Sequence, residues 1–105
     1  MATYQIVSIK HSEDYTGTLR GAIERTLAID ADYQPTAGVT LATAGDSTLL
    51  ETDHIDLDIS ILSEEAAEAG DTDQVTLCER ALAGDEDARL ACLIVIATAA
   101  AQGVR

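Results

Sequence analysis

The stretch Asp53-His54-Ile55-Asp56-Leu57-Asp58 is the densest group of side chains in this 105-residue chain that could carry chemistry. Read as a strand, it puts His54, Asp56 and Asp58 on one face, with neighbours about 7 Å apart. An imidazole beside carboxylates can hold a divalent cation, and paired carboxylates can move protons. Ligands at i and i+2 still need a further ligand from another segment, and the sequence identifies none. The competing reading is the wet face of a half-buried strand, whose charges also discourage edge pairing. Asp56-x-Asp58-x-Ser60 begins like a calcium loop, but Ile61 stands where glycine is required and no glutamate closes it.

Other reactive residues give less. His11, Ser12 and Glu13 adjoin in sequence, whereas the members of a catalytic triad converge from separate segments. Gly17, Gly21, Gly38 and Gly45 are isolated and form neither a phosphate-binding loop nor a dinucleotide fingerprint. Cys78 and Cys92 both fall inside apolar helical patterns, where an unpaired cysteine behaves as a small hydrophobe. The expectation is a protein that is not an enzyme and needs no cofactor. The N-terminal MATYQIVSIK lacks the pattern of a secretory signal, so the expected location is cytoplasmic and the thiols are expected to be reduced.

Charge is more informative than motif. Nineteen acids oppose six Lys plus Arg, for a formal net charge of -13, and Lys10 is the only lysine. Such a chain has almost nothing with which to neutralise phosphates, so direct nucleic-acid binding is excluded as an expectation. Residues 1–52 hold seven acids and three bases, and residues 53–105 hold twelve and three. The candidate partner-binding carboxylates are therefore Asp53, Asp56, Asp58, Glu64, Glu65, Glu68, Asp71, Asp73, Asp85, Glu86 and Asp87.

The elements that must carry them follow from periodicity. Residues 3–10 read as a central strand, and HSEDYTG as a polar loop. Thr16 or Thr18 can cap a helix over 18–28, with Leu19, Ala22, Ile23 and Leu27 on one face. Residues 30–38, with Pro35, form a connection, and 38–44 a second strand. Gly45-Asp46 suits a hairpin turn into 47–61, which is one strand or two. Within it Ile55, Leu57, Ile59 and Ile61 alternate strictly with polar residues. Helices are expected over 64–69, 72–83 and 86–102, with Asp71 and Asp85 as N-caps. The fold class is α+β in a single domain, 1–105: a small antiparallel sheet of three or four strands, an N-terminal amphipathic helix and a C-terminal helical hairpin.

The last helix holds twelve residues, Leu90 to Ala101, of which only Thr98 is polar. Twelve are too few to span a bilayer, so no membrane contact is expected. Leu90, Leu93, Ile94, Ile96, Ala97 and Ala101 form the expected core face, leaving Ala91, Cys92, Val95, Thr98 and Ala99 on the other side. Either that side is covered within the monomer, or Ala91, Val95 and Ala99 form the seam of a homodimer.

Together these features indicate a non-enzymatic acidic protein that engages a basic protein surface. In general character the acid distribution resembles the small acidic inhibitors with which phages and mobile elements imitate nucleic-acid charge against restriction or CRISPR machinery. No motif ties the chain to one family. Two alternatives are an oligomeric structural or assembly protein of a halophile, whose acidity is salt adaptation, and a metal-dependent enzyme using His54, Asp56 and Asp58.

Overall fold

Strand β1 (Ala2–Val7) occupies an inner position in a four-stranded antiparallel sheet of order β2-β1-β3-β4, as its apolar run requires. The computed structural model describes residues 2–33, 38–45 and 47–103. β2 (Ser12–Gly17), β3 (Thr40–Thr43) and β4 (Thr48–Glu51) complete the sheet. The register pairs Ile6 with Leu41 and Leu41 with Leu50, so these three buried aliphatics line one face. Thr3, Gln5, Thr16 and Ala42 lie on the opposite face in exposed or half-buried positions, as an antiparallel sheet allows. Gly45 lies between β3 and β4, where a hairpin forms; Asp46 lies outside the described residues.

The expected loop HSEDYTG is instead mostly strand β2. A tight turn, closed by Ser8 N–H donating to the His11 carbonyl at 2.7 Å, joins it to β1. Ile9, expected inside the first strand, sits in this turn 70% exposed. β2 alternates, but its inward positions are Glu13, Tyr15 and Gly17 rather than aliphatics, which conceals the period. Arg25 makes the glutamate tolerable there: its Nε and Nη2 donate to the two carboxylate oxygens of Glu13 at 3.0 and 2.9 Å. His11 Nε2 lies 2.7 Å from the same carboxylate, and its ring stacks on Tyr33 at 5.2 Å between centroids.

Helix α1 (Leu19–Tyr33) packs against the sheet and buries Ala22, Ile23, Thr26 and Ile29. Thr18 caps it, its Oγ1 accepting from Gly21 N–H at 3.0 Å, and the helix runs five residues beyond the expected end. At Gly21 the Tyr15 ring lies over the helix where no side chain projects, and a Cβ there would meet the movable tyrosine hydroxyl. Pro35 lies outside the described residues.

The largest departure from expectation is 54–61, which is not a strand. A 3-10 turn (Thr52–His54) leads into α2 (Ile55–Ala69). Ile55, Ile59, Leu62 and Ala66 are buried, a spacing of four, three and four that suits helical period. Leu57 is 60% exposed and Ile61 half-buried, so half of the supposed apolar strand face points away from the core. Two forces favour the helix. Residues 62–69 are strong helix formers, and adding turns to an existing helix costs far less than starting a strand. Asp56 and Asp58 also fall in its first turn, where the macrodipole favours acids. Gly70, at φ 76°, ends α2, with Asp71 N–H donating back to the Ala66 carbonyl at 2.9 Å.

α3 (Thr72–Leu82) and α4 (Glu86–Ala101) follow, capped as expected: Asp71 Oδ1 accepts from Gln74 N–H and Asp85 Oδ1 from Ala88 N–H, both at 3.1 Å. With α2 they form three packed helices rather than only a hairpin. On α3 Leu82 is 45% exposed, and its neighbour Ala81 is buried. α4 lies against β4, α1, α2 and α3. Its buried residues are Ala88, Cys92, Leu93, Ile96 and Ala97. Cys92 thus belongs to the core side and Ala101 to the exposed side, reversing two expectations, because α3 and not the sheet covers the Cys92 edge. There Cys92 Sγ meets Cys78 Sγ of α3 at 3.8 Å, and both thiols are free and fully buried. No helix among the described residues is long and apolar enough to cross a membrane.

The Glu13–Arg25 pair gives the molecule a pH response. Hydrogen bonds from Arg25, then His11, hold the Glu13 carboxyl down to about 2 from an ordinary 4.5. A lowered value in the folded protein means stabilisation that is complete above the ordinary value and lost as pH falls towards 2. Arg25 is 41% exposed, so screening limits the effect to about 1 kcal/mol. Urea unfolding between pH 7 and 2 is expected to show Glu13→Gln less stable than wild type by that amount at pH 7. The two are expected to converge at the acid end, and a constant difference across the range would contradict the pairing.

Candidate interaction surface

Placing 55–61 in the first turns of α2 moves Asp56 and Asp58 from a strand onto the helix that carries Glu64, Glu65 and Glu68. On α2 the residues opposite the buried Ile55–Ile59–Leu62–Ala66 face are Leu57, Glu64 and Glu68, at i, i+7 and i+11. Asp53, Asp56, Glu64, Glu65 and Glu68 are all exposed, and Asp58 is half-buried. The column is carried by a helix anchored along its inner face, so its spacing is fixed by backbone geometry rather than by a loop.

Asp73, Glu86 and Asp87 are also exposed, in the first turns of α3 and α4. Asp71 and Asp85 differ from the rest because each spends an oxygen on its own helix. Asp85 in addition takes Arg80, whose Nη2 donates to Oδ2 at 2.6 Å. The Ala88 amide and the Arg80 guanidinium together hold the Asp85 carboxyl below the usual carboxylate range. These two acids fix the α2–α3 and α3–α4 corners, while Glu64, Glu68, Asp73, Glu86 and Asp87 are exposed.

The arginines are internally answered. Among the described residues every arginine has a carboxylate: Arg20 with Glu24, Arg25 with Glu13, Arg80 with Asp85 and Arg89 with Asp56. Across 55–101 eleven acids face two arginines, and both arginines are engaged within the same unit. Residues 2–33 and 38–45, which form α1 and three of the four strands, hold five acids and three bases. The negative potential therefore belongs to the three-helix side of the molecule.

The trio proposed for a metal does not converge. On a helix, positions two apart are rotated by about 200°, so residues that share a strand face separate. Asp56 reaches across to α4, where Arg89 Nη1 lies 2.9 Å from its Oδ1. Asp58 turns towards an open cleft of about 260 Å³, which Glu51, His54, Leu50, Ile96 and Ala100 also line. His54 instead contacts Glu51, with Nδ1 2.8 Å from Oε2, and lies 4.0 Å from Asp53. Glu51, Asp53 and His54 bring one ligand atom each within 4.8 Å of one another, at the rim of the chain and not in its core. Glu51 ends β4 three residues before His54, and nothing in its sequence spacing marks it as a partner of the imidazole. The arrangement satisfies the imidazole with carboxylates and resembles a surface ion-pair cluster in every contact it makes.

The suggested seam comes to the surface unevenly. Val95 is 40% exposed, and Ala91 and Ala99 are half-buried beside it. From Leu90 to Ala101 the outer side of α4 carries no charged residue. Searches against protein-family models, characterised proteins and solved structures find no match to this chain.

Proposed function

We propose that this chain is a non-enzymatic interaction protein that binds a basic protein surface through the outward face of α2 and the adjoining acidic turns. The observation that carries the reading is the internal neutralisation of the bundle's two arginines, beside which Glu64, Glu68, Asp73, Glu86 and Asp87 stand exposed. Fixed acids on a rigid helix attract a basic groove over a distance of about a Debye length and speed encounter, the role phosphates play for a nucleic-acid-binding protein. Inhibition by charge mimicry is the biological sense this favours. Leu57, exposed among the acids, supplies an apolar contact that phosphate alone lacks.

The test is capture from a nuclease-treated extract at low salt on immobilised protein. A basic nucleic-acid-binding protein is expected to be retained and to be displaced by duplex DNA or by raised salt. A folded protein that retains nothing basic would refute the proposal.

The reading includes a homodimer through the Ala91, Val95 and Ala99 strip of α4. On a molecule of charge -13, two copies approach with least repulsion where charges are missing. Sedimentation velocity is expected to show a dimer for wild type and a monomer for Val95→Glu. Equal monomeric mass for both would remove the dimer and leave the partner surface unaffected.

A further inference from the structure

The chain's two cysteines stand fourteen positions apart, on different helices, and meet in the core. Their surroundings are unequal. Cys78 Sγ receives the Cys92 S–H at 3.8 Å and a Gln74 side-chain N–H at 3.5 Å. Cys92 Sγ receives only the second approach of that amide, at 3.7 Å. Cys78 is the sulfur on which both donors converge, which assigns it the role of nucleophile. Burial and the contact with Cys78 push the Cys92 thiol up to about 12, which keeps Cys92 protonated and donating. Gln74 is half-buried, and its amide connects the pair with the surface of the bundle.

We propose that Cys78 and Cys92 form an oxidation site at which hydrogen peroxide makes an intrachain disulfide that ties α3 to α4. The Cys78 thiolate attacks one peroxide oxygen, the O–O bond breaks, and hydroxide leaves and takes up a proton as water. The Cys92 sulfur then attacks the sulfenic sulfur of Cys78, losing its proton, and a second water departs. Two thiols lose two electrons and one peroxide gains them, so that two waters form. Peroxide suits the site because it is close to water in size, and larger disulfides are excluded by full burial of both sulfurs. The bond joins helices already in contact, so it restricts the unfolded chain more than the folded one.

Exposure of native protein to peroxide, followed by alkylation in guanidinium, tests this. Untreated protein is expected to accept two alkyl groups, treated protein none, and treated then reduced protein two again. A single peptide linking Cys78 to Cys92 should account for the loss, and the melting temperature should rise by about 10 °C. Two thiols surviving treatment, sulfinic or sulfonic products, or bonds between chains would overturn the proposal. The order of attack is read separately with a diketone that traps sulfenic acid. Cys92→Ala should be trapped at Cys78, whereas Cys78→Ala should not be trapped. Trapping at Cys92 instead would overturn the assignment of Cys78 as nucleophile.

Discussion

Ile59→Ala is expected to lower the free energy of unfolding by about 2–5 kcal/mol, while Leu57→Ala leaves it within about 0.5 kcal/mol. The two residues are both large aliphatics, stand two positions apart, and would share a face on any strand. On α2 they part company: Ile59 is fully buried and Leu57 is 60% exposed. Removing the Ile59 side chain leaves a cavity in the core cluster that also contains Leu50 and Leu93. For a domain of this size the loss is a large fraction of total stability. Removing Leu57 takes away a side chain that water already reaches. Chemical denaturation of the two variants reads the difference directly. Equal costs would mean that 55–61 does not form the first turns of α2. The same Leu57→Ala variant is expected to weaken capture of the partner, so that its effect lies on binding and not on folding.

Glu64→Lys/Glu68→Lys is expected to slow association with the captured basic partner at least tenfold at low salt, with circular dichroism unchanged. Both side chains are exposed and neither takes part in a cap or an ion pair, so the fold loses nothing by the exchange. The double reversal moves the α2 column from attraction to repulsion, and steering rates respond steeply to such changes. The difference should shrink as salt approaches about 1 M, where the screening length falls to about 3 Å. The control is Asp14→Lys/Asp32→Lys, an equal change in charge on β2 and α1. If both pairs slow binding alike, overall charge and not the α2 face attracts the partner, and the proposed surface is wrong.

What could be read in the sequence depended on how local the information was. Caps were legible because they are arithmetic over three residues: Thr18, Asp71 and Asp85 each accept from the amide three positions on. The inner strand β1 was legible from its β-branched run, and so was the α+β class. β2 was not, because its inward Glu13 is admissible only with Arg25, twelve residues away, in bidentate contact. Residues 54–61 misled because Ile55 and Ile59 satisfy both a period of two and a spacing of four. Length arbitrates between those patterns, and the decisive residues were the helix formers beyond Leu62. The acidic surface could be counted from the sequence but not arranged. Its arrangement required knowing that His54, Asp56 and Asp58 wind around an axis.

The connectivity of the sheet also orders events in time. β1 pairs with β3 through Ile6 and Leu41, thirty-five positions apart, with β2 and α1 made in between. α2, α3 and α4 contact their neighbours across turns of a few residues. Closing a long loop costs entropy before its contacts return anything, whereas helix pairs next to each other in sequence assemble early. The bundle and the β1–β2 and β3–β4 hairpins are all built from short-range contacts, and the β1–β3 pairing that joins the hairpins into one sheet is expected to come last. Until β3 arrives beside β1, the long apolar helix α4 has its helical neighbours but lacks the β4 edge that covers it in the finished molecule. A net charge of -13 is then expected to keep molecules that expose that helix apart while the sheet closes.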